Sequence, residues 1–280
     1  MVAPVRQSLP QRDGRTAVSA TPKRSGKDWI RDHVQSLERG LAVIRCLGGA
    51  PDLTLAEIAK RTGITRAAAR RFLLTLERLG YVGRGDDGYH LLARTLELGY
   101  AYLSSHALPQ IAHPHIQKLA YDLDESCSVT ILDRQSIVYV VRATISRLVG
   151  ASLSVGSTLP AYCTSAGRVL LAGLSAAEFD TYLREAKLER LTAKTVTSAK
   201  KLREEVRRAG AQGWYLIDQE IEEGVRSLAA PLHDATGKVI AAVNVSSYST
   251  RVTLDALHRR FLPRLLETTA AIEKELQARR

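Results

Sequence analysis

The sequence predicts an α+β protein of two domains. A winged helix-turn-helix comes first, then a larger unit with a mixed, mainly antiparallel sheet flanked by helices. Three observations carry this. Between Leu55 and Leu91, two helical patterns flank a glycine turn and lead into two short alternating runs joined by Gly-Asp-Asp-Gly. From Ser126 onward, strand-like runs rich in Val and Ile alternate with capped helical segments. At 280 residues the chain is long enough to bury two cores.

Residues 1–27 mix Pro, Ser, Thr, Gly and Arg without periodicity and read as a disordered basic tail, either touching phosphates or merely solvating. The winged domain is expected over residues 28–93. From Val34 to Leu47, Leu37, Leu41, Val43, Ile44 and Leu47 fall at helical spacing, with Ser36 and Glu38 at the start. In the next helix Leu55, Ile58 and Ala59 share a face. Thr62-Gly63-Ile64 makes the turn, with Gly63 free to adopt a left-handed backbone. Thr65 stands where an N-cap belongs. Ala69, Phe72, Leu73, Leu76 and Leu79 then form the apolar stripe of a second helix.

The opposite face of that helix shows Arg66, Ala67, Ala68, Arg70 and Arg71. Lys60 to Arg71 holds five basic residues and no acid. Small residues flanked by arginines suit close entry into a major groove, where guanidinium forks reach guanine edges or phosphates. A basic face can also be simply solvated; the hairpin behind it, a wing, favours DNA. The expected DNA-facing set is Thr54, Thr65, Arg66, Ala67, Ala68, Arg70 and Arg71, with Arg84 in the wing.

Arg94 to Ser105 reads as a linker helix, 94–106, whose apolar face is large enough to meet a second subunit. After a break at Leu108-Pro109, another helix runs to about Asp124. The second domain, 107–280, is read as strands SCSVTILD, SIVYVVRAT and LVGASLSV, then helices beginning at Ser165, Ser175 and Ser198. Strands WYLIDQE, VRSLAAPLHD and GKVIAAVNVSSY follow, and a closing helix runs from about Thr253 to Leu276. Its stripe is Leu254, Leu257, Phe261, Leu265, Ile272 and Leu276.

The formal net charge is +11. Residues 1–100 carry 17 Lys/Arg against 10 Asp/Glu and residues 101–280 carry 23 against 19, so the excess per residue concentrates at the N-terminal side. That fits a polyanion partner there. Cys46, Cys127 and Cys163 are too few and scattered for a disulfide framework or zinc site, and His106, His113 and His115 read as surface histidines. No apolar run marks a membrane span or leader, so the chain is read as cytoplasmic.

The small-molecule signal lies at LPAYCTSAGRVLL. Thr164 and Ser165 precede a helix whose first amides belong to Ser165, Ala166 and Gly167. A helix start with small residues and hydroxyls favours a carboxylate, or the hydroxyls simply cap it. Asp218 and Glu220, Arg226 and Ser227, and Asn244 and Ser246 place polar groups on apolar strands, where a polar ligand would partner them. No nucleophile elbow, phosphate loop, dinucleotide fingerprint or metal spacing is present in the sequence, and a non-enzyme without cofactor or metal is expected.

Over nearly its whole length, from about Asp28, the chain resembles the IclR family of bacterial transcription regulators. The resemblance rests on VQSLERGLAVIRCL, the helix-turn-helix, YHLLARTLELG, LPAYCTSAGRVLLAGL and GWYLIDQEIEEGVRSLAAPL. It implies a GAF-like or profilin-like effector domain, operator DNA as partner, and a homodimer or dimer of dimers. CTSAGRVLLA, DQEIEEGVRSLA and NVSSYSTRVT are most similar to regulators of the β-ketoadipate pathway, which respond to protocatechuate, 4-hydroxybenzoate, β-ketoadipate or cis,cis-muconate. The resemblance thus implies a small, aromatic-pathway carboxylic acid as effector; a non-aromatic effector and, further off, an enzyme are the alternatives. Family effector contacts carry over to Ser165, Ala166, Ser227, Asn244, Ser246 and the acidic strand end. The family's usual first Asp falls on Ile217 there, leaving Asp218, and Ala166 replaces a frequent Met. Tyr162, Thr164, Gly167 and Arg226 complete the expected pocket.

Overall fold

The computed structural model describes residues 33–48, 52–145 and 153–279. The expected basic tail and the first residues of the winged domain lie outside them. The chain divides into two compact units between Thr95 and Leu96, so the helix read as a linker belongs with the second unit.

In the first unit, α1 (Gln35–Leu47), α2 (Leu55–Thr62) and α3 (Arg66–Arg78) pack over Val43, Leu47, Ile58, Ala69 and Leu73. Gly63 ends α2 with φ +69°, a left-handed turn only glycine adopts without strain. Leu79, expected in the stripe of α3, follows its last turn and is half exposed. The wing is the expected hairpin around Gly-Asp-Asp-Gly: β1 (Val82–Arg84) pairs antiparallel with β2 (Tyr89–Leu91), Arg84 opposite Tyr89.

The second unit opens with α4 (Leu96–Ser105) and α5 (Ala107–Leu123). The break falls at His106 rather than Leu108-Pro109, because Pro109 sits in the first turn, where an amide has no acceptor inside the helix anyway. Strands β3 (Ser126–Asp133), β4 (Ser136–Ala143), β5 (Thr158–Pro160), β6 (Tyr215–Asp218), β7 (Val225–His233) and β8 (Val239–Tyr248) form one sheet of order β5-β4-β3-β8-β7-β6. Every pairing among the described residues is antiparallel, not mixed. The strand expected at LVGASLSV falls largely outside the described residues. Its described end, Leu153–Val155, is not a strand, and β5 begins further on at Thr158.

The sheet has a helical layer on each face. One face buries Val129, Leu228, Val243 and Val245 against α5 and the closing helix α9. Helix α9 runs through Leu254–Ala256, a π-helical turn Leu257–Phe261, and Leu262–Ala278. Leu254, expected in its stripe, is exposed, whereas Leu257, Phe261, Leu265 and Ile272 are buried. The other face carries α6 (Ser165–Ala172), α7 (Ala176–Glu185) and α8 (Ala199–Gln212), capped by Thr164, Ser175 and Ser198. Under α6 the sheet turns polar, and that positions the site.

Candidate functional site

Strand register lines up hydroxyls and amides across the middle of the sheet. Arg142 on β4 lies opposite Ser128 on β3, Ser128 opposite Asn244 on β8, and Ser246 on β8 opposite Ser227 on β7. Alternation along β8 puts Asn244 and Ser246 on the face that meets α6. There Asn244 Nδ2 donates to Ser246 Oγ at 3.2 Å, Ser246 Oγ to Ser227 Oγ at 3.4 Å, and Ser227 Oγ lies 2.6 Å from Ser165 Oγ. Above this file opens a cavity of about 100 Å³. Its walls include Ile137, Tyr139, Leu159, Cys163, Ile217 and Ile221, while Arg142, Thr164, Ser165, Ser227, Asn244 and Ser246 bring polar atoms to it.

The helix start is less open than its sequence suggests. Thr164 Oγ1 accepts from the Gly167 amide at 3.1 Å, so that amide is capped and turned away from ligand duty. Gly167 is needed for packing: a Cβ there would lie 2.0 Å from the Ala161 carbonyl oxygen. Ala166 is buried and lines the cavity. Burial pushes the Cys163 thiol up to about 12, so at neutral pH it is an uncharged wall, not a nucleophile.

Besides Gly167, which packs on Ala161 and is off the lining, three expected pocket residues are placed elsewhere. Tyr162 donates its hydroxyl to the Glu189 carbonyl at 2.7 Å and does not line the cavity. Asp218 and Arg226 also lie off the lining, because they neutralise each other: Arg226 Nε meets Asp218 Oδ1 at 2.7 Å and Lys194 Nζ meets Oδ2 at 2.5 Å. Glu220 does not share a strand face with Asp218. Strand β6 stops at Asp218, Gln219 turns left-handed at φ +63°, and Glu220 is buried in a two-pronged ion pair with Arg168 of α6, at 2.7 and 2.6 Å.

Partial burial raises the Asp218 carboxyl, but hydrogen bonds from Lys194 and Arg226 outweigh it and hold the group at about 2 instead of 3.8. A depressed folded value stabilises the fold above the unfolded value, and that contribution is lost as pH falls from about 4 towards 2. Asp218→Asn should therefore flatten the acid limb of the stability curve. Urea midpoints between pH 6 and pH 2 check this; parallel curves for wild type and variant refute it.

Arg142 escapes sequence reading, although a charge at the end of the apolar run SIVYVV was a signal. Its Nη1 donates to Ser128 Oγ at 3.1 Å and its guanidinium stands 5.5 Å from the Tyr139 ring centre. Burial pulls its pKa down, yet a guanidinium stays protonated at any physiological pH. Among the described residues, no hydrogen-bond partner is found for Arg142 Nε or Asn244 Oδ1, both buried atoms.

In the first unit, Arg66, Ala67, Arg70 and Arg71 lie exposed on one side of α3, and Arg84 is exposed on β1, 5.8 Å from the Tyr89 ring centre. Ala68 is half-buried. The threonines are caps. Thr65 Oγ1 accepts from the Ala68 amide at 3.2 Å, and Thr54 forms a reciprocal capping box with Glu57. Their hydroxyls are thus engaged in starting α3 and α2.

Comparison with known proteins finds relatives for both units of the chain. The family description "IclR helix-turn-helix domain" matches residues 36–86, and "Bacterial transcriptional regulator IclR C-terminal" matches residues 100–274. The chain belongs to the IclR family. It is a DNA-binding transcription regulator with an effector-binding second unit. Similar proteins include the Pca regulon regulatory protein of Pseudomonas putida, 45% identical with 84% of this chain and 81% of that protein covered. The p-hydroxybenzoate hydroxylase transcriptional activator of Acinetobacter baylyi is 33% identical, with 90% and 94% covered. Among solved structures, a transcriptional regulator of Rhodococcus sp. RHA1 is 48% identical at a TM-score of 0.78, covering 87% of this chain and 98% of that one. The inducer-binding domain of PobR from Acinetobacter, a double mutant in complex with 3-hydroxybenzoic acid, is 29% identical at 0.57, covering 60% and 98%. These relatives are transcriptional regulators. No helix among the described residues of this IclR-family chain is long and apolar enough to cross a membrane.

Proposed function

We propose that this regulator binds operator DNA through α3 and the wing, and that a small carboxylic acid of aromatic catabolism, held in the cavity under α6, controls it. One observation carries the effector reading: a largely apolar cavity, with Arg142 and Glu222 on its wall, holds a file of hydroxyls ending in Asn244 Oδ1, a buried acceptor with no donor among the described residues. A buried group without its partner costs about 1–3 kcal/mol, which a ligand's donor would recover. The 3-hydroxybenzoic acid bound to the PobR inducer domain supports the chemical class. A thermal-shift panel of 4-hydroxybenzoate, protocatechuate, β-ketoadipate and cis,cis-muconate tests it: at about one hundred times Kd, a ligand adds roughly 2.7 kcal/mol to stability. Unmoved melting across the panel refutes the reading.

The DNA side rests on the exposed arginines of α3. Arg66→Ala or Arg70→Ala should weaken binding to the cognate operator by about 1–3 kcal/mol, if each reads a base edge, and relax specificity there. Gel shifts at fixed salt check this, and unchanged affinity in both variants removes α3 from the groove. The protein works as a homodimer or dimer of dimers in this reading. Helix α4 supports it, exposing Leu96, Leu98, Tyr100 and Tyr102 with none of its residues buried. Sedimentation as a monomer at micromolar concentration would overturn the assembly. Catalysis, a cofactor and a metal have no place in this function, which is exercised in the cytoplasm.

A further inference from the structure

We propose that Arg142 is the residue by which this regulator selects an anionic effector, the ligand's carboxylate lying on its guanidinium and a hydrogen-bond donor at the ligand's far end reaching Asn244 Oδ1. The inference rests on the effector reading above and moves the anion from the helix start to β4.

The argument is one of charge accounting around a single cavity. Three cations stand beside it in the fold, and each has a counter-charge: Arg168 holds Glu220, and Arg226 and Lys194 share Asp218. Arg142 lines the cavity itself, as does the Glu222 carboxylate, but among the described residues no carboxylate, Glu222 included, lies within ion-pair distance of it. It donates to a neutral serine and faces an aromatic ring, and its Nε is buried without an acceptor. A half-buried guanidinium cannot shed its proton to escape the cost of partial desolvation, so it favours an anion beside it. Carboxylates fit its planar fork with two parallel hydrogen bonds.

The rest of the cavity is ill-suited to a carboxylate. The Gly167 amide is already capped by Thr164, and Ser165, Ser227 and Ser246 form a file of neutral hydroxyls bonded to one another. Asn244 Oδ1 is an acceptor, which repels a carboxylate and welcomes a hydroxyl. Arg142 and Asn244 sit two strands apart in register through Ser128, about 10 Å between backbones. The arginine side chain reaches inwards as far as Ser128, so its guanidinium and Asn244 face the same cavity, one for the acid and one for a polar group elsewhere on the ligand.

The test uses calorimetry on the full-length wild type and the Arg142→Gln variant. The probes are 4-hydroxybenzoate, protocatechuate and β-ketoadipate, each beside its neutral methyl ester. Wild type should prefer the acid that binds over its ester by at least about tenfold. Arg142→Gln should lose about 10- to 100-fold in affinity for that acid and lose the preference with it, while Arg142→Lys keeps part of both. Wild-type binding of acid and ester with equal affinity overturns the inference without needing a folded variant. So does an Arg142→Gln protein that melts like wild type and still prefers the acid. Wild type binding none of the acids would instead remove the effector reading itself, and this inference with it.

Discussion

Replacing Arg168 with methionine is expected to destabilise the effector unit by about 3–5 kcal/mol. Arg168 is fully buried, and its guanidinium is the only counter-charge that the described residues offer the Glu220 carboxylate. Removing it strands that carboxylate in the interior with only the Val196 amide, 3.1 Å from Oε2, to solvate it. It also removes the donors to the Tyr162 carbonyl at 3.1 Å and to the Tyr215 hydroxyl at 2.9 Å. For a unit of this size, each kcal/mol lowers the melting temperature by roughly 2–4 °C, so a fall of about 6–20 °C should be seen by calorimetry. A companion double change, Arg168→Met with Glu220→Leu, should recover much of the loss, because the pair's desolvation penalty goes with it. A single-variant loss below about 1 kcal/mol would show that water reaches the pair.

The effect should extend to ligand binding. Helix α6 begins at the cavity with Ser165, three residues before Arg168, and Glu220 anchors the loop that brings Ile221 and Glu222 to the cavity wall. Thr195 Oγ1 donates to the Glu220 carbonyl at 2.6 Å and Thr192 Oγ1 to the Gln219 carbonyl at 2.7 Å, so the loop is held by backbone and side chain alike.

Ala166→Leu should abolish effector binding, a loss of more than about 100-fold. Ala166 is 1% exposed and its side chain forms part of the cavity wall. Leucine adds three carbons to a space of about 100 Å³ that a ligand of several ring or chain atoms must occupy. Some of the larger side chain fills existing space, so the fold itself should lose no more than the roughly 1–3 kcal/mol of ordinary overpacking. Calorimetry with 4-hydroxybenzoate and protocatechuate reads the affinity, and gel shifts with and without the acid read the switch. The variant should bind operator identically in both conditions. Wild-type affinity for the acid in Ala166→Leu would place the ligand outside this cavity.

What local sequence determined about this protein is what local physics governs. The 3–4 residue spacing of apolar side chains marked α1 to α3, and Gly63, Thr65, Ser175 and Ser198 marked turns and caps, because those roles depend on a residue's own backbone and its neighbours within one turn. Two-residue alternation likewise placed β3, β4 and β8 and put Asn244 and Ser246 on one face. The tertiary structure alone decided which polar groups are spent. Asp218 looks available until Lys194, 24 residues away in sequence, and Arg226 neutralise it. Nothing in the local sequence marks Arg168, whose burial is decided by Glu220, 52 residues away in sequence. Arg142 shows the converse: among the described residues no carboxylate lies within ion-pair distance of it, not even Glu222 on the same cavity wall, while Glu220 and Asp218 are held by other cations. Long-range pairing across strands settles such matters, since the cost of burying a charge depends on what lies within a few ångströms of it, whatever its distance along the chain.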